Sequence, residues 1–343
     1  MSQRVAILGA TGLVGRAALR QLEERSYPVA DLRLLATDGG GRSASFGGRT
    51  WAIEPVSAPA FEGVDLALFT CANAVSQQWA AVAQAAGARV VDNSSAFRYQ
   101  PDIPLVVPEV NGALLDARPK LVANPNCSTI AVVLALAPLA RVAGLERVEI
   151  ATYQSASGGG GDTLDELERG VRLGLESDPP RRGDGGPALA FNVVPQIDRF
   201  EDNGYTREEM KVVWETRKIL DLPDLPLNVT AARVPVRVGH CAAVTVSLSR
   251  PLEAPEARAL WAAWPGLRVV DDPGAGRFPT PLEAAGTDLV LVGRARRDPS
   301  QERGLSFWVA SDNLRKGAAT NAIQIAERLM SDAVERDARG AAR

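Results

Sequence analysis

Short apolar runs alternate with amphipathic stretches through the first third of the chain. Residues 4–8, Arg-Val-Ala-Ile-Leu, predict a buried strand, and residues 13–24 repeat apolar positions at helical spacing. Further apolar runs at 31–37, 64–70 and 89–92 predict strands, with a helix over 76–86 between the last two. Strands alternating with helices in this way predict a parallel sheet covered on both faces. A last short run, 121–123, leads into a turn at Pro125 and Asn126, after which 127–140 reads as an apolar helix.

Beyond that helix the pattern changes. Residues 145–154 predict a long strand with a polar end, followed by a glycine run at 158–161 and helices over 163–175 and 206–220. Runs at 227–236, 242–248 and 288–296 predict antiparallel strands, so this half is α+β. The proline- and glycine-rich stretch 178–187 predicts a mobile surface loop. A helix is expected over 313–330, where Leu314, Ala318, Asn321, Ile325 and Leu329 recur at helical spacing. Residues 331–343 lack a substantial apolar face and predict a frayed tail.

A length of 343 residues accommodates two domains, each with its own core. A net charge of −3 provides no basic footprint for nucleic acid or an acidic membrane surface, which leaves a small-molecule enzyme as the default. The odd number of cysteines, three, argues for a reducing compartment, and the longest apolar run, 130–140, is too short to span a bilayer. A cytoplasmic location is expected. One histidine and three scattered cysteines supply no recognisable metal site.

Cys127 is expected at a helix N-terminus, where unpaired backbone N–H groups and the helix dipole favour a thiolate. The bland alternative is a buried small hydrophobe, the role also expected of Cys71 and Cys241. His240, the sole histidine, is the natural acid/base partner for a nucleophilic cysteine, with an ordinary pKa of about 6.5 close to the working range. Gly9, Gly12 and Gly15 form a G-x-x-G-x-x-G turn between a strand and a helix, a dinucleotide-binding arrangement. After the second strand, Asp38 suits an unphosphorylated ribose whereas Arg42 suits a 2′-phosphate, and both also read as solvated loop charges. Arg98 follows a strand, where its planar fork suits phosphate or carboxylate. Glu208 and Lys211, three apart, share one helix face, as a site pair or as a plain surface ion pair; Glu209 leaves that register open.

Five stretches resemble the aspartate-semialdehyde dehydrogenase family: Gly9-Ala-Thr-Gly-Leu-Val-Gly15, Asp92-Asn-Ser-Ser-Ala-Phe-Arg98, Asn124 to Thr129, Tyr153-Gln-Ser-Ala-Ser-Gly158 and Arg233 to His240. Their order and approximate spacing fit as well. The resemblance implies an α/β protein with a Rossmann-type nucleotide-binding domain (1–127 with 314–330) and an α+β catalytic and dimerisation domain (128–313), like glyceraldehyde-3-phosphate dehydrogenase. It implies NADPH-dependent reductive dephosphorylation of L-aspartyl 4-phosphate to the 4-semialdehyde, in lysine, threonine and methionine biosynthesis, by a homodimer. Cys127 would carry a thioester, His240 would handle the proton and Gln154 would orient the substrate. Arg98, Asn126 and Lys211 would surround phosphate, Glu208 would meet the substrate ammonium and Arg233 its α-carboxylate. Gly9, Thr11, Gly12, Leu13, Val14, Gly15, Arg42, Ser43, Ser157, Gly158 and Asn321 would line the cofactor, NADP rather than NAD though NAD stays open.

Two departures stand out. Thr37 to Ser43 replaces the family's Ser-x-Arg-Ser-like loop, and Cys241-Ala242-Ala243 replaces a serine and an acidic residue after the histidine, which leaves the support of His240 unassigned. The rival readings are an N-acetyl-glutamyl-phosphate reductase type, whose substrate has no free ammonium, and a catalytically silent nucleotide-binding relative.

Overall fold

A computed structural model of the chain describes residues 2–38, 41–175 and 185–340. It divides into two compact units, residues 1–125 with 318–343 and residues 126–317. Most of the expected loop at 178–187 lies outside the described residues.

The first unit contains β1 (Gln3–Leu8), α1 (Leu13–Glu24), β2 (Val29–Ala36), β3 (Ser43–Phe46), β4 (Arg49–Pro55), β5 (Leu66–Phe69), α2 (Asn73–Ala85), β6 (Arg89–Asp92), the one-turn α3 (Pro108–Asn111) and β7 (Leu121–Ala123). Its sheet has the order β3-β4-β2-β1-β5-β6-β7. The pairs from β4 to β7 are all parallel, and β3 closes one edge as an antiparallel hairpin with β4. Val5 to Leu8 and Leu66 to Phe69 are buried on both faces, so these strands read as unbroken apolar runs rather than as alternating ones. The chain leaves β1 for β2 on one side and returns to β5 on the other. The carboxyl end of β1 is therefore the switch point at which doubly wound sheets bind nucleotides.

The second unit opens with α4 (Cys127–Ala143), buried on nearly every side and accordingly apolar all round. It continues through β8 (Leu145–Gln154), α5 (Gly161–Gly174), α6 (Arg207–Leu220), β9 (Leu227–Arg233), β10 (His240–Leu248), α7 (Ala254–Ala263), β11 (Leu267–Val269), the one-turn α8 (Pro281–Ala284), β12 (Val290–Arg297) and β13 (Gly304–Ser311). The sheet order is β11-β12-β13-β10-β8-β9. β10 pairs antiparallel with β8 and β13. β9, expected to be antiparallel, runs parallel to β8, because the chain crosses back through α5 and α6 before entering it. β10 begins at His240, two residues earlier than expected.

The last helix, α9 (Thr320–Gly340), belongs to the first unit and buries Ala322, Ile323, Ile325, Ala326 and Leu329. A π-helical turn over Arg315–Ala319 precedes it, which displaces the expected start at 313. The helix also runs past the expected frayed end at 331. No proline interrupts it, and alanine, glutamate, arginine and methionine are strong helix formers. The hairpin of β3 and β4, α7, β11 and β13 were not anticipated. No helix among the described residues is long and apolar enough to cross a membrane.

Candidate active site

Asn126 is the extended N-cap of α4, and its Oδ1 accepts the N–H groups of Ser128 at 2.9 Å and Thr129 at 3.3 Å. That cap fixes Cys127 as the first helical residue, partly buried, in the positive end of a 17-residue helix dipole. Two carboxylates of α6, seven residues and two turns apart, grip the same turn. Glu215 Oε2 accepts the Asn126 backbone N–H at 2.6 Å, and Glu208 Oε1 accepts Asn126 Nδ2 at 2.9 Å. A Cβ at Gly317 would lie 3.1 Å from Cys127 Cβ, so glycine leaves room beside the thiol-bearing residue.

Glu208 is buried and gathers donors. Its Oε1 also accepts Gln154 Nε2 at 3.1 Å, and its Oε2 accepts Lys211 Nζ at 3.3 Å. Gln154 is itself buried and donates to Thr152 Oγ1 at 3.3 Å. Lys211 donates to Asp198 at 2.8 Å. Burial alone would lower the Lys211 pKa, yet Glu208 and Asp198 outweigh it and hold the ammonium above its ordinary value. For Asp198, burial raises the pKa, but the Lys211 bond and the Arg199 N–H leave its carboxyl below the usual range. Glu209 does a different job. It closes a capping box with Thr206 and accepts the Ala231 N–H at 2.9 Å, so Glu208 is the glutamate that faces Asn126 and Gln154.

His240 is 2% exposed. Its Nδ1 receives the Ser155 N–H at 3.1 Å and lies 3.0 Å from Ser155 Oγ, while its Nε2 is buried with no partner among the described residues. Burial, then the nearby Arg233 guanidinium, pushes its pKa down to about 3. The expected ordinary value near neutrality is therefore corrected: the ring is neutral at physiological pH. Arg233 donates to Ser155 O at 2.9 Å. A Cβ on Gly158 would come within 2.7 Å of His240 Cε1 and 2.8 Å of both His240 Nε2 and Arg233 Nη1. Ser157 hydrogen-bonds Asn313, whose Oδ1 also accepts the Gly239 N–H at 2.9 Å. Asn126, Cys127, Gln154, Ser157, Gly158, Glu208, Lys211, Arg233 and His240 thus all belong to the second unit.

The first unit holds the remaining candidates. Arg98 is buried, donating to Asn124 O at 2.9 Å and Asn93 O at 2.6 Å, which ties the loops after β6 and β7 together. Asn321 Nδ2 donates to Asn124 Oδ1 at 2.7 Å and Val106 O at 2.9 Å. Gly9 adopts φ +94°, and a Cβ there would sit 2.7 Å from Thr70 O. A Cβ at Gly15 would lie 2.3 Å from Gly9 O, so only glycine lets α1 seat this close to β1. Gly12 caps α1 without any side-chain hydrogen bond, and Leu13 and Val14 form its first turn. N–H groups left without a side-chain cap beside Thr11 suit a pyrophosphate. Arg42 is ion-paired with Asp38, and Ser43 is the exposed first residue of β3.

Cys71 packs against the first unit's core with its pKa raised to about 11 by burial. Cys241 lies in the second unit's core, its thiol pushed up to about 12. Sequence reasoning missed Ser155, Asp198, Glu215 and Asn313. Seven-residue spacing from Glu208 marks Glu215 on the same helix face, and Ser155 lies inside a stretch already singled out; Asp198 and Asn313 carry no local signal.

Two family models match the chain: "Semialdehyde dehydrogenase, NAD binding domain" over residues 4–117 and "Semialdehyde dehydrogenase, dimerisation domain" over residues 136–316. An aspartate-semialdehyde dehydrogenase of Legionella pneumophila is 48% identical over 332 residues, 96% of each chain. Aspartate-semialdehyde dehydrogenase 2 of Vibrio cholerae is 46% identical over 97% of this chain and 99% of its own. The crystal structure of the Vibrio cholerae aspartate semialdehyde dehydrogenase II complexed with ASA superposes with a TM-score of 0.93 at 44% identity, covering 97% of this chain and 99% of that one.

Proposed function

Since the chain belongs to the aspartate-semialdehyde dehydrogenase family, we propose that Cys127 is the residue on which its reductive dephosphorylation of L-aspartyl 4-phosphate proceeds. The observation that carries this is the double grip of Glu208 and Glu215 on Asn126, which aims the N-terminus of α4 and with it the thiol. The thiolate adds to the acyl carbonyl, the tetrahedral oxyanion collapses with loss of phosphate, and a thioester remains on Cys127. His240 faces the oxygen of that carbonyl, and Gln154 orients the acyl group without competing for a proton. Arg233 clamps the α-carboxylate through its planar fork. Glu208 takes the substrate ammonium, exchanging the donors it now holds, and Lys211 and Asn126 bind phosphate. The buried Glu208 carboxylate disfavours the N-acetyl-glutamyl-phosphate alternative, because an acetylated amine offers it no cation.

The glycine turn fits a dinucleotide, with Gly9, Thr11, Gly12, Leu13, Val14 and Gly15 around the pyrophosphate. When bound, the cofactor supplies hydride. Arg42 and Ser43 favour NADP, and the match to a dimerisation-domain model favours a homodimer; small molecules as ligands follow from the reaction proposed, and a cytoplasmic place of action from its biosynthetic role. The test is to incubate the enzyme with the acyl phosphate in the absence of reduced cofactor and map the adduct by peptide mass spectrometry. An aspartyl mass increment on Cys127 is expected; an adduct on Cys71 or Cys241, or none, overturns the assignment.

A further inference from the structure

The geometry points to Ser155 and Asn313 as positioning residues that hold the His240 ring in the tautomer carrying its proton on Nε2, so that the histidine acts as a neutral N–H donor to the developing oxyanion. The tautomer follows from donors that have no choice. A backbone N–H can only donate, and that of Ser155 is aimed at Nδ1 at 3.1 Å, so Nδ1 must present its lone pair. A neutral imidazole has one proton, which then belongs to Nε2.

The second partner of Nδ1 is held by Asn313. Its Oδ1 is oriented by the Gly239 N–H at 2.9 Å, again a group that can only donate, and lies 3.1 Å from Ser155 Oγ and 3.2 Å from Ser157 Oγ. Asn313 Nδ2 returns a bond to Ser157 Oγ at 3.0 Å. The Ser155 hydroxyl therefore sits between two acceptors, Asn313 Oδ1 and His240 Nδ1 at 3.0 Å, and its proton serves either without reversing the ring. This network of neutral groups is what supports His240 in a chain whose next residues, Cys241-Ala242-Ala243, offer no carboxylate.

On the far side of the ring Nε2 has no partner among the described residues, and the flanking residue is Gly158, where a Cβ would lie 2.8 Å from it. If His240 instead acted as a base through Nε2, its proton would sit on Nδ1 and oppose the Ser155 N–H, two donors face to face. The histidine therefore stabilises charge rather than removing a proton. As the Cys127 sulfur adds to the acyl carbon, the carbonyl pair moves to oxygen and receives the Nε2–H hydrogen bond. As the pair returns, the carbon–oxygen bond to phosphate breaks and the phosphate leaves with those electrons. No proton is transferred in either half. The role toward the oxyanion rests on the reading of the site proposed above; the tautomer does not.

The chain has a single histidine, so labelling it with 15N gives one pair of ring nitrogens and an unambiguous long-range proton–nitrogen spectrum. In the full-length protein at neutral pH, Nε2 is expected to be of the protonated, pyrrole type and Nδ1 of the unprotonated, pyridine type. Asn313→Ala and Ser155→Ala each leave the Ser155 backbone N–H in place, so Nε2 should stay the protonated nitrogen; losing or loosening the second donor to Nδ1 should shift the Nδ1 resonance and lower kcat about fivefold, the weight of one neutral hydrogen bond, with KM nearly unchanged. Ser155→Thr should restore both spectrum and rate. A wild-type spectrum with the proton on Nδ1, or on both nitrogens, overturns the inference, as do variants whose Nδ1 resonance and kcat are unchanged. If the spectrum is as expected but His240→Asn keeps the wild-type kcat, the oxyanion role fails through the reading it rests on, while the tautomer assignment stands.

Discussion

Asn126 hands its backbone N–H to the buried Glu215 at 2.6 Å while its side chain caps the helix that begins with Cys127. A residue on α6 thereby sets where the thiol stands, through the turn that precedes it. Charge-assisted hydrogen bonds contribute about 1.5–3 kcal/mol, so Glu215→Gln, which keeps the shape and removes the charge, should slow alkylation of Cys127 by iodoacetamide about tenfold. An unchanged rate, with mass spectrometry confirming the modified residue, would show that Glu215 does not position the turn.

Gly158 is intolerant of a side chain for a reason specific to the site. A Cβ would press on His240 Cε1 and Nε2 and on Arg233 Nη1, whereas one at Gly161 would meet nothing within 4 Å. Gly158→Ala should therefore lower kcat/KM by about a hundredfold, as displacing a catalytic group by roughly an ångström does. Gly161→Ala should change little. Equal effects in parallel assays would mean that the clash is relieved by motion.

Only Cys127 has the setting of a reactive thiol. Cys71, half-buried against an apolar core, and Cys241, inside one, have pKa values pushed up to about 11 and 12, so both stay protonated near neutrality. Cys127→Ala should abolish turnover yet leave nucleotide binding intact, and Cys71→Ala and Cys241→Ser should keep most activity. Loss of turnover in Cys71→Ala with its circular dichroism preserved would contradict this.

The strength of local pattern explains what was legible beforehand. β1, α1, α4 and α6 follow from apolar periodicity within their own residues, and the turn chemistry of Asn126 follows from its place before α4. The direction of β9 was not legible, because parallel pairing depends on the path of the crossover rather than on the strand itself. β3 alternates exposed and half-buried positions at a sheet edge, and so lacks a strong apolar run. Which of Glu208 and Glu209 enters the site is decided by the Thr206–Glu209 capping box, a local motif, together with the bond of Glu209 to the Ala231 N–H in β9, which no local pattern announces. The support of His240 comes from Ser155 and from Asn313, which lies 158 residues beyond Ser155, out of the reach of any window of sequence.

The depressed pKa of His240 has consequences for both stability and rate. An unfolded chain protonates this histidine at about pH 6.5, but the folded one resists until about pH 3, owing to burial first and Arg233 second. Between those values the unfolded state binds more protons, so stability is lost as pH falls, by up to about 1.4 kcal/mol per pH unit. Urea midpoints at about pH 7 and pH 5 should diverge more in the wild type than in His240→Asn, which cannot titrate. The same shift means that kcat/KM should show no histidine limb in the neutral range, contrary to what an ordinary imidazole would give. A neutral limb that disappears in His240→Asn would show that the ring titrates in the resting enzyme.

The cofactor preference turns on the Asp38–Arg42 ion pair. Both side chains are substantially exposed, at 76% and 44%, and surface pairs of this kind contribute only about 0–1 kcal/mol, so Arg42 is readily redirected. A 2′-phosphate offers it a doubly charged, bidentate partner, whereas an unphosphorylated ribose offers hydroxyls that suit Asp38 instead. Arg42→Ala should raise the KM for NADPH about tenfold more than that for NADH, the loss of one charge-assisted contact. Asp38→Ala removes a carboxylate that both competes for Arg42 and repels phosphate, so it should lower the KM for NADPH. Steady-state kinetics of the three proteins with both cofactors separate the two readers. If Asp38→Ala instead raises the KM for NADH and leaves NADPH untouched, Asp38 is reading the ribose and the enzyme is built for NAD.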